Sequence, residues 1–406
     1  MRILILHSTY LSGPASGENR VVEDETKLLR DGGHQVEVFS PTPETDRPGS
    51  RARLGMRAIW SNDAAHSIKR KLKAFRPEVV HVHNVFPMLS PLSLQVAGSE
   101  GAAVVMTLHN YRLLCLPAVF LRDGKVCEDC LGKVPWRGIV HKCYQDSVGG
   151  SAALATSLTL HRAIGSFDAV TLYLAASAFL RDKYIEGGFA PDRLWVKPNF
   201  AWETSRRRGP GDYFLFLGRL SFEKGLDTLL ESWRDPPGRL VVVGDGPDSD
   251  RLQHEAPPQV EFRGLVSADE MPAIVMKARA VLVPSLSYEA ASRAIIEAYA
   301  AGVPVLASRI GAIPEVVSDE VSGLLLPPGD PAAWRTAARR LLDDEESERM
   351  GGGGAALWAE KFGPETALQR LEEAYSVAID LKRSSRHEPP GRFRRSRTSR
   401  TKSDER

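Results

Sequence analysis

Short apolar runs recur along this chain with helical patterns between them, and that alternation constrains the fold more than any other feature. Ile3–Leu6, Val36–Phe39, Val79–Val82 and Ala103–Leu108 are too short for helices and read as strands buried on both faces. Helical patterns near Val21–Arg30, closed by Gly32-Gly33, and near Ala64–Phe75 fall between them. Strand and helix in strict turn predict a parallel sheet with helices on both sides. After Pro198 the pattern begins again: Tyr213–Leu217, a helix from Leu226, Leu240–Val243, Val260–Phe262, Ala280–Val283, a helix near Ala294–Ala300, and Val303–Ala307. The expected fold class is therefore α/β, with two doubly wound, Rossmann-like domains.

A length of 406 residues agrees with two cores. The polar stretch from Ser205 to Gly211 reads as an exposed linker. This puts the first domain at residues 1–204 and the second at 205–381, where the helical patterns after Pro331 complete the second domain. The run Gly351–Gly354 is expected to be a loop or a helix terminus. Residues 382–406 form a basic tail that cannot bury a core and is expected to be disordered. That tail holds ten Lys or Arg against three acidic residues, a charge of +7 within a formal total of +2, so residues 1–381 carry −5. A mildly acidic body argues against nucleic acid as a partner. No stretch reaches the ~20 apolar residues of a membrane span, and no signal segment opens the chain, so a cytoplasmic location is expected.

Ligands of doubly wound sheets bind beyond the carboxyl ends of the strands. The loop after Tyr213–Leu217 reads Gly218-Arg219-Leu220-Ser221-Phe222-Glu223-Lys224-Gly225. Glycine admits close backbone approach, and a guanidinium and an ammonium suit a diphosphate, although two solvated cations on a turn would read alike. The second candidate is Glu289 to Glu297. Were it all helix, eight steps of about 100° would turn the two carboxylates roughly 80° apart, off a common face. If Ser292 caps the helix instead, Glu289 lies on the strand-end loop, free N–H groups near Arg293 face an anion, and Glu297 reaches the ligand from the first turns.

In these segments the chain resembles the retaining GT-B glycosyltransferases of the large family 4 group. The carriers are GRLSFEKG at 218–225, VVGDGP at 242–247 and EAASRAIIEAYAAGVPVLAS at 289–308, with SGENRVVEDETKLLRDGGHQVEVF at 16–39 and TLHNYR at 107–112. The resemblance spans roughly residues 1 to 380 and implies two lobes facing across a cleft. It also implies that Arg219 and Lys224 neutralise a nucleotide diphosphate, with Gly218, Ser292 and Arg293 beside it. Glu297 would bind the ribose, Glu289 would hold the donor sugar, and His109 would face that sugar from the acceptor side. Gly17 matches the position that brings backbone to the diphosphate. Transfer then needs no divalent metal, and retention proceeds through a covalent intermediate or through same-face attack. One departure stands out: Ala290-Ala291-Ser292 replaces the usual Gly-Phe-Gly. A nucleotide-sugar-binding protein without transfer activity is thus the alternative. A dinucleotide oxidoreductase is disfavoured, since residues 12–17 hold only two of the glycines of its phosphate loop.

All four cysteines, Cys115, Cys127, Cys130 and Cys143, fall in an expected insertion at 110–146. They read as a closed structural zinc site or as separate reduced thiols. His83 and Asn84, at the end of a strand, are candidates for the acceptor side. The expected partners are a nucleotide-sugar donor and a saccharide or lipid-linked acceptor. The basic run Lys69-Arg70-Lys71-Lys73 and the tail add peripheral membrane contact, or else a solvated helix face.

Overall fold

The computed structural model describes residues 1–10, 17–43 and 49–384. The first sheet takes β1 (Arg2–His7), β2 (Gln35–Phe39), β3 (Val79–Asn84) and β4 (Ala103–Leu108). A short hairpin of β5 (Leu121–Arg122) and β6 (Lys125–Val126) follows in the insertion, and β7 (Leu172–Ala175) and β8 (Leu194–Val196) complete the sheet. All its pairings are parallel, in the order β2-β1-β3-β4-β7-β8. The second sheet comprises β9 (Tyr213–Leu217), β10 (Leu240–Val243), β11 (Val260–Phe262), β12 (Ala278–Val283), β13 (Val305–Ser308) and β14 (Gly323–Leu326). Its order is β11-β10-β9-β12-β13-β14. The strand order reverses beside β1 in one sheet and beside β9 in the other, which creates two crevices for ligands.

Pleating sends alternate residues to opposite faces. Leu4 and Leu6 enter one apolar layer of the first domain while Ile3 and Ile5 enter the other. The second sheet is sandwiched likewise, with Trp233 and Trp334 fully buried on one side.

Two sequence expectations change. The glycine run is neither loop nor terminus: residues 351–354 lie inside the helix Asp344–Leu357. A Cβ on Gly351 would come 2.3 Å from the Gly302 carbonyl, one on Gly353 2.2 Å from the Val321 carbonyl, and one on Gly354 2.4 Å from the Tyr299 ring. Close packing against neighbouring backbone outweighs the poor helix propensity of glycine. The last helix, Pro364–Ser384, does not finish the second domain. It crosses back to the first, where Ala367, Leu371, Ala374, Tyr375 and Ala378 cover the layer containing Ile3, Ile5, Val79 and Val105. An amphipathic pattern shows that a helix has a partner and is silent about which sheet that is.

The linker is exposed at Ser205, Arg206, Arg208 and Gly209 and half-buried at Arg207, Pro210 and Gly211; Arg207 donates to the carbonyls of Pro210 (3.0 Å), Arg279 (3.1 Å) and Ser347 (2.6 Å) and so fastens the linker to the second domain. Of the basic tail, residues 385–406 lie outside the described residues.

Candidate active site

The loop between Leu217 and Leu226 lies beyond β9, at the reversal point of the second sheet. Gly225 lets it fold tightly there: its φ of 72° is left-handed, and a Cβ would sit 2.0 Å from the Pro284 carbonyl at the end of β12. Lys224 and Glu289, 65 residues apart, consequently meet. Lys224 Nζ is 2.8 Å from Glu289 Oε1, and the Ser285 hydroxyl donates to the same oxygen at 2.5 Å. Burial works against the Lys224 ammonium, yet the facing carboxylate prevails and raises its pKa. Arg219 is exposed on the same loop, near enough for its charge to act on Lys224.

The helix from Arg293 to Ala300 starts just after this loop. Ser292 occupies the N-cap position in extended conformation, but its hydroxyl makes no capping bond. Glu289 thus lies outside the helix and Glu297 inside it. Arg293 Nη2 bridges Glu297 Oε1 (2.9 Å) and Asp24 Oδ2 of the first domain (2.8 Å), and Trp202 Nε1 donates to the other Asp24 oxygen at 2.9 Å. The charges are internally paired, Lys224 with Glu289 and Arg293 with both Glu297 and Asp24.

Several bonds tie this loop and the helix Ile313–Val316 to the opposite lobe. Ser177 Oγ donates to the Ala290 carbonyl at 2.7 Å, Tyr111 OH to the Glu289 carbonyl at 3.4 Å, and the Ala178 N–H to Glu315 at 2.7 Å. The Ala290 methyl is buried in the first domain's apolar cluster, with Tyr288 and Ala291 against it. The Ala290 methyl, in place of the first of the usual glycines, therefore packs in the seam between the lobes.

On the facing lobe His109 follows β4. Its Nε2 is 3.0 Å from Nδ1 of His83, at the end of β3. Burial first, then the Lys197 charge, holds the His109 pKa well below the ordinary range, so the ring is neutral at pH 7. His83, Asn84 and His109 line a water-sized cavity of about 20 Å³ together with Glu18, Asn110 and Arg112. Asn84 uses its amide internally, donating to the carbonyls of Ser8 and Phe86 and accepting from the Phe86 N–H. Those bonds hold Asn84 in place beside the cavity. Glu18 was not singled out from sequence; it bonds Asn110, and burial raises its carboxyl pKa to about 7. The only signal for it was its position next to Gly17, which opens the helix Gly17–Asp31 with open space around its Cα.

The four cysteines are free thiols. Among the described residues the one group of three ligand-type side chains lying within 4.8 Å of one another is Glu25, His81 and His83, where Lys197 already pairs with the carboxylate. No three of the thiols lie within that distance of one another, but Cys127, Cys130 and Cys143 are near enough for their charges to act on one another. Cys115 is buried in the apolar cluster, where the charge of Cys130 still reaches it. The basic run lies on an exposed helix face: its helix, Asn62–Phe75, buries Ala64, Ile68 and Leu72 while Lys71 pairs with Glu37 at 3.1 Å. No helix among the described residues is long and apolar enough to cross a membrane.

With this geometry in view, the family profile for Glycosyltransferase Family 4 matches residues 15–201, and that for Glycosyl transferases group 1 matches residues 211–344. The chain is 30% identical over 370 residues to a Mycobacterium tuberculosis glycogen synthase, covering 84% of this chain and 85% of the relative. It is 28% identical to a GDP-mannose-dependent alpha-mannosyltransferase of the same species, over 81% of this chain and 85% of that one. The solved structure of Anabaena Alr3699/HepE in complex with UDP and glucose superposes with a TM-score of 0.64 at 17% identity, covering 93% of this chain and 100% of the other.

Proposed function

The chain belongs to the GT-B glycosyltransferases of the family 4, group 1 type, and from that footing we propose that it is a retaining, metal-independent hexosyltransferase. It would move a sugar from a nucleotide-diphosphate donor to a saccharide or lipid-linked acceptor in the synthesis of a cell-surface polysaccharide or glycan. One observation carries the reading: Lys224, Arg219 and Glu289 gather at the reversal point of the second sheet, tied through Tyr111 to the lobe that bears His109.

The chemistry follows from charge. As the bond from the anomeric carbon to the phosphate oxygen breaks, positive charge grows on the sugar and negative charge on the diphosphate. Lys224 and Arg219 stabilise the departing anion, which removes the need for a divalent ion. Glu289, released from Lys224, holds the sugar hydroxyls. In same-face attack the acceptor oxygen bonds the anomeric carbon and its proton passes to the leaving phosphate oxygen. The acceptor approaches from the lobe that bears His109, and closing the lobes excludes water. Neither the base nor the sugar is fixed by these residues: one relative is named for GDP-mannose, and one structural neighbour holds UDP.

The deciding experiment titrates UDP-, GDP- and ADP-sugars calorimetrically, then follows turnover and anomeric configuration by NMR. We expect one donor to bind, its slow hydrolysis to persist in EDTA, and Glu289→Ala and His109→Ala to abolish that hydrolysis. Tight binding without any turnover would favour the binding-protein alternative.

A further inference from the structure

Behind His109 the first domain buries a chain of polar groups that the transfer chemistry above does not use. His83 joins it through Nδ1, 3.0 Å from His109 Nε2, with the two rings only 19° from coplanar. The other His83 nitrogen, Nε2, is buried without a hydrogen-bond partner and faces Glu25 Oε2 at 3.7 Å; that oxygen is itself buried and unpaired. Glu25 Oε1 is held by the Lys197 ammonium, and both side chains are almost wholly enclosed. His81 lies beside them, but its nitrogens are engaged, Nδ1 with the Tyr375 hydroxyl and Nε2 with the Thr107 hydroxyl, each at 2.8 Å.

We propose that Glu25 and His83 are positioning residues which lock His109 as its Nε2–H tautomer and so leave His109 Nδ1 as the acceptor the ring can offer a substrate hydroxyl. A carboxylate oxygen only accepts, so the His83 proton belongs on the nitrogen that faces Glu25. His83 Nδ1 then carries a lone pair, and the single proton between the two rings must come from His109. A doubly protonated ring would upset this order. Burial holds both histidines neutral, helped at His83 by its histidine neighbours and at His109 by the charge of Lys197. The logic is that of any histidine whose tautomer is set by the partner of its second nitrogen. The assignment of a role to His109 rests on the proposed function; the tautomer does not.

The test therefore begins without substrate. Long-range nitrogen–proton correlation spectra of the full chain, labelled with ¹⁵N-histidine at pH 7, should show His83 and His109 both neutral and both protonated at Nε2. His109 protonated at Nδ1 would overturn the proposal. Replacing the ion pair by apolar groups, Glu25→Leu with Lys197→Met, removes the orienting carboxylate without stranding a buried charge. In that variant the tautomers should become mixed and turnover fall ~10–100-fold at unchanged donor affinity, the scale seen when the partner orienting a functional histidine is lost. His83→Gln, whose amide keeps an acceptor and a donor, should retain most turnover, and His83→Phe should not. Equal turnover in His83→Phe and the parent protein would sink the idea. Should the apolar double variant not fold, the parent spectrum and the His83 pair still decide. Correct tautomers in a protein that turns over no sugar nucleotide would leave the positioning intact and defeat the transferase reading.

Discussion

Lys224 shows how a side chain that looks free in sequence is already committed in the fold. Its ammonium is bonded to Glu289, and under the proposed function a diphosphate has to displace that carboxylate. Lys224→Ala should weaken donor binding by about 2 kcal/mol, the scale of one hydrogen bond to a charged group, so calorimetry should show a Kd raised roughly 30-fold. The buried histidines make a second claim at this scale. Burial, with the Lys197 charge, pushes the His81 pKa down to about 3, while His83 and His109 are lowered well below 6.5. The unfolded chain thus binds more protons, so stability is complete above pH 6.5 and is lost as the pH falls below it. His81 alone should forfeit about 2 kcal/mol by pH 5, read as a falling Tm in thermal scans. Glu18 acts with the opposite sign: its raised pKa of about 7 makes the folded state bind the extra proton between pH 4.5 and 7. Glu18→Gln should therefore steepen the acid-side loss.

At the scale of elements, the helix Asp344–Leu357 separates two kinds of glycine. Gly352 is exposed with nothing within 4 Å of its missing Cβ, whereas Gly353 meets the Val321 carbonyl. Gly352→Ala should stabilise by ~0.5–1 kcal/mol through helix propensity, and Gly353→Ala should destabilise by more than that, a contrast that urea titrations resolve. The insertion makes its own prediction. Cys127, Cys130 and Cys143 are partly exposed and Cys115 is buried. If the thiols are separate, alkylation of the native protein should modify those three before Cys115; protection of all four, with metal found in the purified protein, would favour the zinc site. Spacing fixes the distance along the chain and not the direction of the sulfurs, so it left both readings open.

For the whole molecule, the helix Pro364–Ser384 matters most, since it joins the chain's end to its first domain. It covers Ile3, Ile5 and Val79 with Leu371 and Tyr375, each worth on the order of 2–3 kcal/mol of burial, and its Tyr375 hydroxyl reaches His81. A chain ending at residue 363 should lose the cooperative melting of the first domain while the second still unfolds as a unit, which calorimetry and limited proteolysis would show. Local sequence determined the two α/β repeats, because strand-length apolar runs and helical periodicity are properties of ten residues at a time. It also pointed to Lys224, Glu289 and Glu297, because loops at the carboxyl ends of strands and the helices that follow them border the crevice, whereas His109 was marked by the resemblance to the family. Glu25, Lys197, Asp24 and Tyr375 carry no such signal. Their roles arise from pairings across 172 residues for Glu25 with Lys197, 269 for Asp24 with Arg293 and 294 for Tyr375 with His81. Those contacts exist only because two sheets and a returning helix enclose the same volume, and burial there gives an unpaired charge or ring nitrogen a cost that water would otherwise remove.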